Sequence, residues 1–199
     1  DSVLRGTHED PALTDSAGAT CWRGGTLELT RTVLESNASR GIEELADCVL
    51  VTLEDVVIRS TRRGASVASY GMLVGAPAVV HGLGLFDNAE SAVVALLEGH
   101  GELSDVVVDG VSGEGTGLAG ASGGTLLIQR AIVRGVTAGL YVANDGSIDA
   151  EDLHIEHVAG SAALAVESPI ALRRALVNDV DSGLFAVGAS ASIVASDVV

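Results

Sequence analysis

The chain has 199 residues, 47% of them hydrophobic but only 3% aromatic, so the core of a single domain must be built from Val, Leu, Ile and Ala. All 11 basic residues are arginine against 27 acidic ones, and the formal charge of -16 excludes a phosphate-backbone partner, which requires cations the surface lacks. No apolar stretch approaches the roughly 18 residues that span a bilayer as a helix.

In chain order, Val3-Leu4 already shows the phase of a pattern that later segments repeat. Residues 5 to 24 depart from it, carry Pro11, Gly18, Gly24 and Cys21, and make residues 1–24 read as an irregular first coil. From residue 25 onward the pattern is regular: an apolar anchor, two polar residues, then an apolar run. It is weak in Leu29-Thr-Arg-Thr-Val-Leu34, clear in Leu53-Glu-Asp-Val-Val-Ile58, and weak again in Val80-His-Gly-Leu-Gly-Leu85. Leu103-Ser-Asp-Val-Val-Val108, Ile128-Gln-Arg-Ala-Ile-Val133, Ala150-Glu-Asp-Leu-His-Ile155 and Leu172-Arg-Arg-Ala-Leu-Val177 follow, and Ala195-Ser-Asp-Val-Val199 is a truncated copy. Successive anchors stand 22 to 27 residues apart. Eleven or twelve residues after an anchor comes a small residue, Gly41, Gly64, Ser91, Gly115, Gly139, Ser161 or Gly183, that opens a second strand, and a third strand ends at the next anchor. The alternation has period 2, and no segment shows helical periodicity.

Three short strands in so few residues cannot bury an apolar face alone, whereas stacked repeats share one continuous core. The expected fold is all-β: a parallel β-helix (β-solenoid) with triangular coils, about seven to eight of them, in one domain over 1–199. The crossover preference makes it right-handed. On the coil motif between residues 29 and 199, the chain resembles the pectate-lyase-like right-handed parallel β-helix proteins, in particular the parallel β-helix repeat family. That resemblance implies the fold; the family spans polysaccharide lyases, glycoside hydrolases, esterases, tailspikes and adhesins, so function must come from the residues. Both ends fall inside a coil, which suggests a fragment of a longer chain or neighbouring segments that cover them.

Equivalent residues of stacked coils lie about 4.8 Å apart, so columns of the repeat are columns in space. Two positions after the anchor the column reads Arg31, Asp55, Gly82, Asp105, Arg130, Asp152, Arg174, Asp197; six positions after, Glu35, Arg59, Phe86, Asp109, Arg134, Glu156, Asn178. Opposite charges alternate, as register-holding ladders would.

The resemblance implies that catalytic groups would stand on the outer face of the strand after the small turn residue. The outward positions there are Glu43, Ser66, Val93, Gly117, Tyr141, Ala163 and Phe185, with Leu45, Ala68, Ala95, Ala119, Ala143, Ala165 and Val187 two residues further on. This face has almost no titratable group, so it lacks both the proton carrier of acid–base catalysis and the cation that stabilises an enolate. Val93, Tyr141 and Phe185 are left as an apolar row for a sugar ring, or for cover by another segment or copy.

Other motifs carry less. Gly99-His100-Gly101 matches a tripeptide of polygalacturonase-like glycosidases, but no Asp-Asp pair stands one coil earlier and an Arg-x-Lys is impossible without lysine. A hydrolase alternative would rest on His100, Asp87 and Asp105. His154 and His157, three apart in a strand, are expected on opposite faces and so make no metal site. Gly115-Thr-Gly-Leu-Ala-Gly120 formally fits a dinucleotide fingerprint but leads into a strand, not a helix. Asn144-Asp145-Gly146 with Asp149 is the best oxygen cluster for calcium, and a plain turn explains it equally well. Cys21 and Cys48, 27 residues apart, suit either a disulfide between neighbouring turns or two small buried hydrophobes.

The sequence therefore reads as a non-catalytic, exported β-helix scaffold or binding module, for polysaccharide or another cell-surface component, with a fragment of a polysaccharide lyase or glycoside hydrolase as the alternative. It is expected outside the cell or on its surface. No nucleic acid or membrane span is expected, no cofactor beyond calcium, and self-association would use the open ends or the apolar face.

Overall fold

A computed structural model describes residues 2–6, 17–44, 47–62, 69–88, 90–110 and 115–199. Among these residues every element is a strand and every pairing is parallel. Among the described residues no helix is long and apolar enough to cross a membrane. The strands are β1 (Ser2–Arg5), β2 (Ala17–Cys21), β3 (Thr26–Thr30), β4 (Thr32–Glu35), β5 (Arg40–Glu44), β6 (Leu50–Arg59), β7 (Tyr70–Val74) and β8 (Pro77–Phe86). They continue with β9 (Ser91–Ala95), β10 (His100–Asp109), β11 (Thr116–Ala121), β12 (Thr125–Arg134), β13 (Ala138–Ala143), β14 (Ser147–Val166), β15 (Pro169–Val187) and β16 (Ser192–Val198).

Long and short strands alternate along the chain and stack like with like. The long series runs β4-β6-β8-β10-β12-β14 and the short series β13-β11-β9-β7-β5-β2, with β15 on β14 and β16 on β15. The result is a parallel β-solenoid of about seven turns. Composition marks residues 1–24 as irregular, yet β1 pairs with β4 and β2 with β5, because both segments keep the period-2 phase of the coil above them.

Long strands change direction at a residue with positive φ two positions after the anchor, as at Asp55 (53°), Asp105 (56°), Arg130 (55°), Asp152 (57°) and Arg174 (50°), and the longest two, β14 and β15, turn again at His157 (52°) and Asp179 (51°). One left-handed residue rotates the chain enough to begin a new strand segment without breaking the stack, so each coil has three segments. Their inward side chains form continuous aliphatic ladders, for example Leu53, Val80, Leu103, Ile128, Ala150 and Leu172 in register, all buried.

The charge columns are physical ladders. At the corner, Arg130 Nε and Nη2 donate to Asp105 Oδ1 and Oδ2 at 2.7 and 2.8 Å, and Arg174 does the same to Asp152 at 2.7 and 2.8 Å. These forked bonds hold the carboxyls of Asp105 and Asp152 below the usual carboxylate range. The second column is in register from Arg5 to Asn178, with Glu35 bridging Arg5 and Arg59 (2.6 and 2.9 Å) and Arg134 bridging Asp109 and Glu156 (2.8 and 3.6 Å).

Arg130→Asp would set three carboxylates in a row at the corner. Aspartate tolerates positive φ better than arginine, so the backbone would not object, and any loss must come from charge. The expected result is a melting temperature lower by a few degrees at low ionic strength and partly restored in 1 M salt, where the Debye length is about 3 Å. Unchanged melting at low salt would contradict an energetic role for the ladder.

Candidate functional site

The short strands point one row of side chains away from the core ladders, toward the outside of the solenoid. Their register sets that row as Glu43, Leu73, Val94, Ala119, Tyr141, Leu164 and Phe185. Glu43, Tyr141 and Phe185 therefore face outward, as the repeat indicates, but Val93 does not. Its side chain is fully buried in the core, in register with Met72 and Leu118, and Val94 takes the outward place. Ala163 is likewise inward, and Gly117 stands two residues before the true outward position, Ala119. The cause is a shifted marker: the small residues Gly41, Gly139 and Gly183 occupy one position in the strand, Ser91 and Ser161 the position before it. A slip of one residue exchanges the faces of a strand. Ser66, Leu45 and Ala68 lie outside the described residues.

From Leu73 onward this row carries no charged group, in a chain of formal charge -16. Leu73, Val94 and Ala119 are buried together, with Tyr70, Leu96 and Tyr141 packed against them. Toward the C-terminal coils the row opens: Tyr141 is part-buried and Phe185 is 49% exposed, with Val187 beside it at 50%. Upstream, buried Glu43 pairs with Arg40, whose guanidinium also lies 5.8 Å over the Tyr70 ring. Burial pushes the Tyr70 hydroxyl up, against the pull of Arg40.

At the N-terminal coils Cys21 and Cys48 form a disulfide that joins adjacent turns, with Cα atoms 5.5 Å apart. Next to Cys21, Trp22 is half exposed and the Arg23 guanidinium stacks 3.8 Å over its ring. Directly opposite Cys21 in register is Glu44, fully buried. Among the described residues neither of its carboxyl oxygens has a hydrogen-bond partner. Burial pushes this acid up to about 8, and the backbone of Ala76 and Gly75 offsets part of that rise.

The histidines are distributed differently from expectation. His157 has φ 52°, so the chain turns there, and both His154 (3.3 Å) and His157 (4.0 Å) approach Glu156 instead of pointing to opposite faces. His157 also reaches Asp179 at 3.4 Å. Among the described residues no three metal-ligating side chains converge. Asn144 and Asp145 are the two left-handed residues of a tight turn closed by the Gly146 amide donating to Ala143 O at 3.1 Å, and Asp149 is held by Arg173 at 2.6 Å. His100 shares a hydrogen bond with Thr125 Oγ1 at 2.7 Å, and Asp105 is held by Arg130.

One polar constellation lies in a column outside the two charge ladders, the position directly after the anchor. There Glu54, His81, Ser104 and Gln129 stand side by side on β6, β8, β10 and β12. Ser104 is buried and hydrogen-bonded to His81 Nδ1, and its hydroxyl lies 3.2 Å from Val80 O. A cavity of about 240 Å³ opens beside them, lined by Val79, His81, Glu102, Ser104, Leu127 and Gln129. Following that column down the repeat is the signal by which the sequence could disclose the group. No protein-family model, curated protein or solved structure matches this chain.

Proposed function

We propose that the chain is an exported β-helix scaffold of the pectate-lyase-like, right-handed kind, which binds a polysaccharide along the outer face of its short strands that carries no charge from Leu73 onward. The observation that carries this reading is the exclusion of charge from that face in so acidic a chain, with Tyr141 and Phe185 at its open end. The two rings stand two strand spacings apart, about 9.6 Å, which is on the scale of two sugar units. Flat aromatic rings on a sheet suit the apolar faces of sugars, and the face supplies no acid or base to cleave them. The inter-turn disulfide fits an oxidising compartment.

The test is binding to a panel of neutral and acidic polysaccharides, read by co-sedimentation and by the melting temperature, with and without calcium. Replacing Tyr141 and Phe185 together with serine is expected to weaken binding to the selected glycan by roughly tenfold per ring. Undiminished binding by the double variant would remove these residues from the account. A concentration-dependent mass in sedimentation that disappears in the same variant would show instead that the face joins copies of the chain.

A further inference from the structure

We infer that the Glu54–His81–Ser104–Gln129 column is an acyl-transfer site, in which Ser104 attacks a small ester such as an O-acetyl group. The site is independent of the polysaccharide-binding face, which lies on different strands. It starts from the solenoid itself: four coils place four unlike side chains at one strand position, and their order along the column is acid, imidazole, hydroxyl and carboxamide. This is the set that nucleophilic ester chemistry uses for orientation, proton acceptance, attack and oxyanion stabilisation.

The hydroxyl of Ser104 has one proton and two acceptors within reach, Val80 O and His81 Nδ1. Which one receives it depends on the imidazole tautomer. Glu54 stands on the far side of His81 in register. With its proton on Nε2, the imidazole leaves Nδ1 bare to take the Ser104 proton. Ser104 sits immediately before the left-handed Asp105, so its side chain is fixed at the corner where the cavity opens. A cavity of about 240 Å³, with Val79 and Leu127 among its lining, has room for an acetyl group and a portion of the alcohol that carries it.

In the step, Ser104 Oγ forms a bond to the ester carbonyl carbon as its proton passes to His81 Nδ1. The carbonyl oxygen becomes an oxyanion, to which the Gln129 carboxamide donates. Collapse breaks the bond to the alcohol oxygen, and the alcohol leaves with the proton from His81. Water then adds to the acyl-serine by the same route, releases the carboxylic acid and restores the hydroxyl.

The probes are p-nitrophenyl acetate and a biotinylated fluorophosphonate, applied to the folded chain. The expected result is a fluorophosphonate adduct mapped by peptide mass to Ser104, together with ester hydrolysis that Ser104→Ala abolishes. His81→Asn should slow both by at least tenfold, and Gln129→Ala should slow hydrolysis by roughly 10²-fold, as for other oxyanion donors. Mapping the adduct in the unaltered chain keeps the result independent of whether a variant folds, and each variant's melting temperature is measured alongside. No adduct on the folded chain, an adduct on another residue, or labelling undiminished in His81→Asn would overturn the assignment.

Discussion

Glu44→Val is expected to raise the melting temperature, and to raise it more at pH 9 than at pH 5. The carboxyl is fully buried opposite Cys21 with no hydrogen-bond partner among the described residues, and burial pushes it up to about 8 from an ordinary 4.5. The folded chain therefore holds a proton that the unfolded chain has released between those values. Stability falls as pH rises through that window, is unaffected by this group below it, and is flat with respect to it above pH 8 or so. Near pH 7 the cost of keeping Glu44 inside is on the order of 3 kcal/mol. Valine suits the position, because one coil further the same interior row holds Val74, also fully buried. Replacing an isolated buried acid with a hydrophobe of similar volume is neutral to stabilising. Glu44→Gln separates the contributions: it removes the ionisation but not the polarity, so it should flatten the pH dependence without the gain at pH 5. The measurement is the difference in melting temperature between each variant and the parent from pH 5 to 9, which cancels the other carboxylates. A difference that stays constant across that range would show that Glu44 does not titrate with folding.

Gly124→Ala is expected to lose stability heavily, while Gly183→Ala loses none. Gly124 closes a two-residue turn whose central residues, Ser122 and Gly123, have φ of 51° and 80°, with the Gly124 amide donating to Ala121 O at 2.9 Å. Its own φ is ordinary; the constraint is space. A Cβ there would stand 2.3 Å from the carbonyl carbon and oxygen of Ala95 in the preceding coil. Backbone cannot yield as a side chain does, because the adjoining Leu96 amide donates to Val74 O at 2.9 Å and ties that coil to the one before it. Gly99 and Gly146 close equivalent turns against the preceding coil, with a Cβ 2.2 Å from Val74 O and from Gly120 O respectively. The methyl group must therefore force adjacent coils away from each other, at a cost at the upper end of the roughly 1–3 kcal/mol typical of overpacking. For a chain of this size that is a drop of about 2–4 °C per kcal/mol. Gly183 has no described atom within 4 Å of an added Cβ and no positive φ, so alanine there is neutral or slightly stabilising. Equal melting temperatures for the two variants would show that coil spacing does not depend on the glycine turns.

What the sequence disclosed and what it hid follow from the same geometry. The anchors and the two charge columns lie within long strands that pair residue for residue, so Asp109 opposite Arg134 or Leu103 opposite Ile128 could be read by counting from the anchor. The short strands follow turns of unequal length, and counting across those turns accumulates error; Val93 and Ala163 fall one residue from the outward place and so change face. His157 departs from its expected face for a related reason, since a single left-handed residue cancels the alternation on which strand faces depend. Glu44, one residue past the outward-facing Glu43, falls on the inner face by the same alternation, and only its acidic character disguised that burial. The Ser104–His81 pair needed only an alignment of the position after the anchor, where residues are dissimilar and repetition offers no cue.

Trp22, with Arg23 stacked on its ring and the Cys21–Cys48 disulfide beside it, is the single tryptophan of the chain. Its fluorescence is therefore a local gauge of the first coils, whereas the circular dichroism of the strands averages over the whole stack. In a solenoid, where each coil touches only its neighbours, the two signals need not melt together. Their separation in temperature would measure how many coils unfold as one unit, and reducing the disulfide should move the fluorescence transition first.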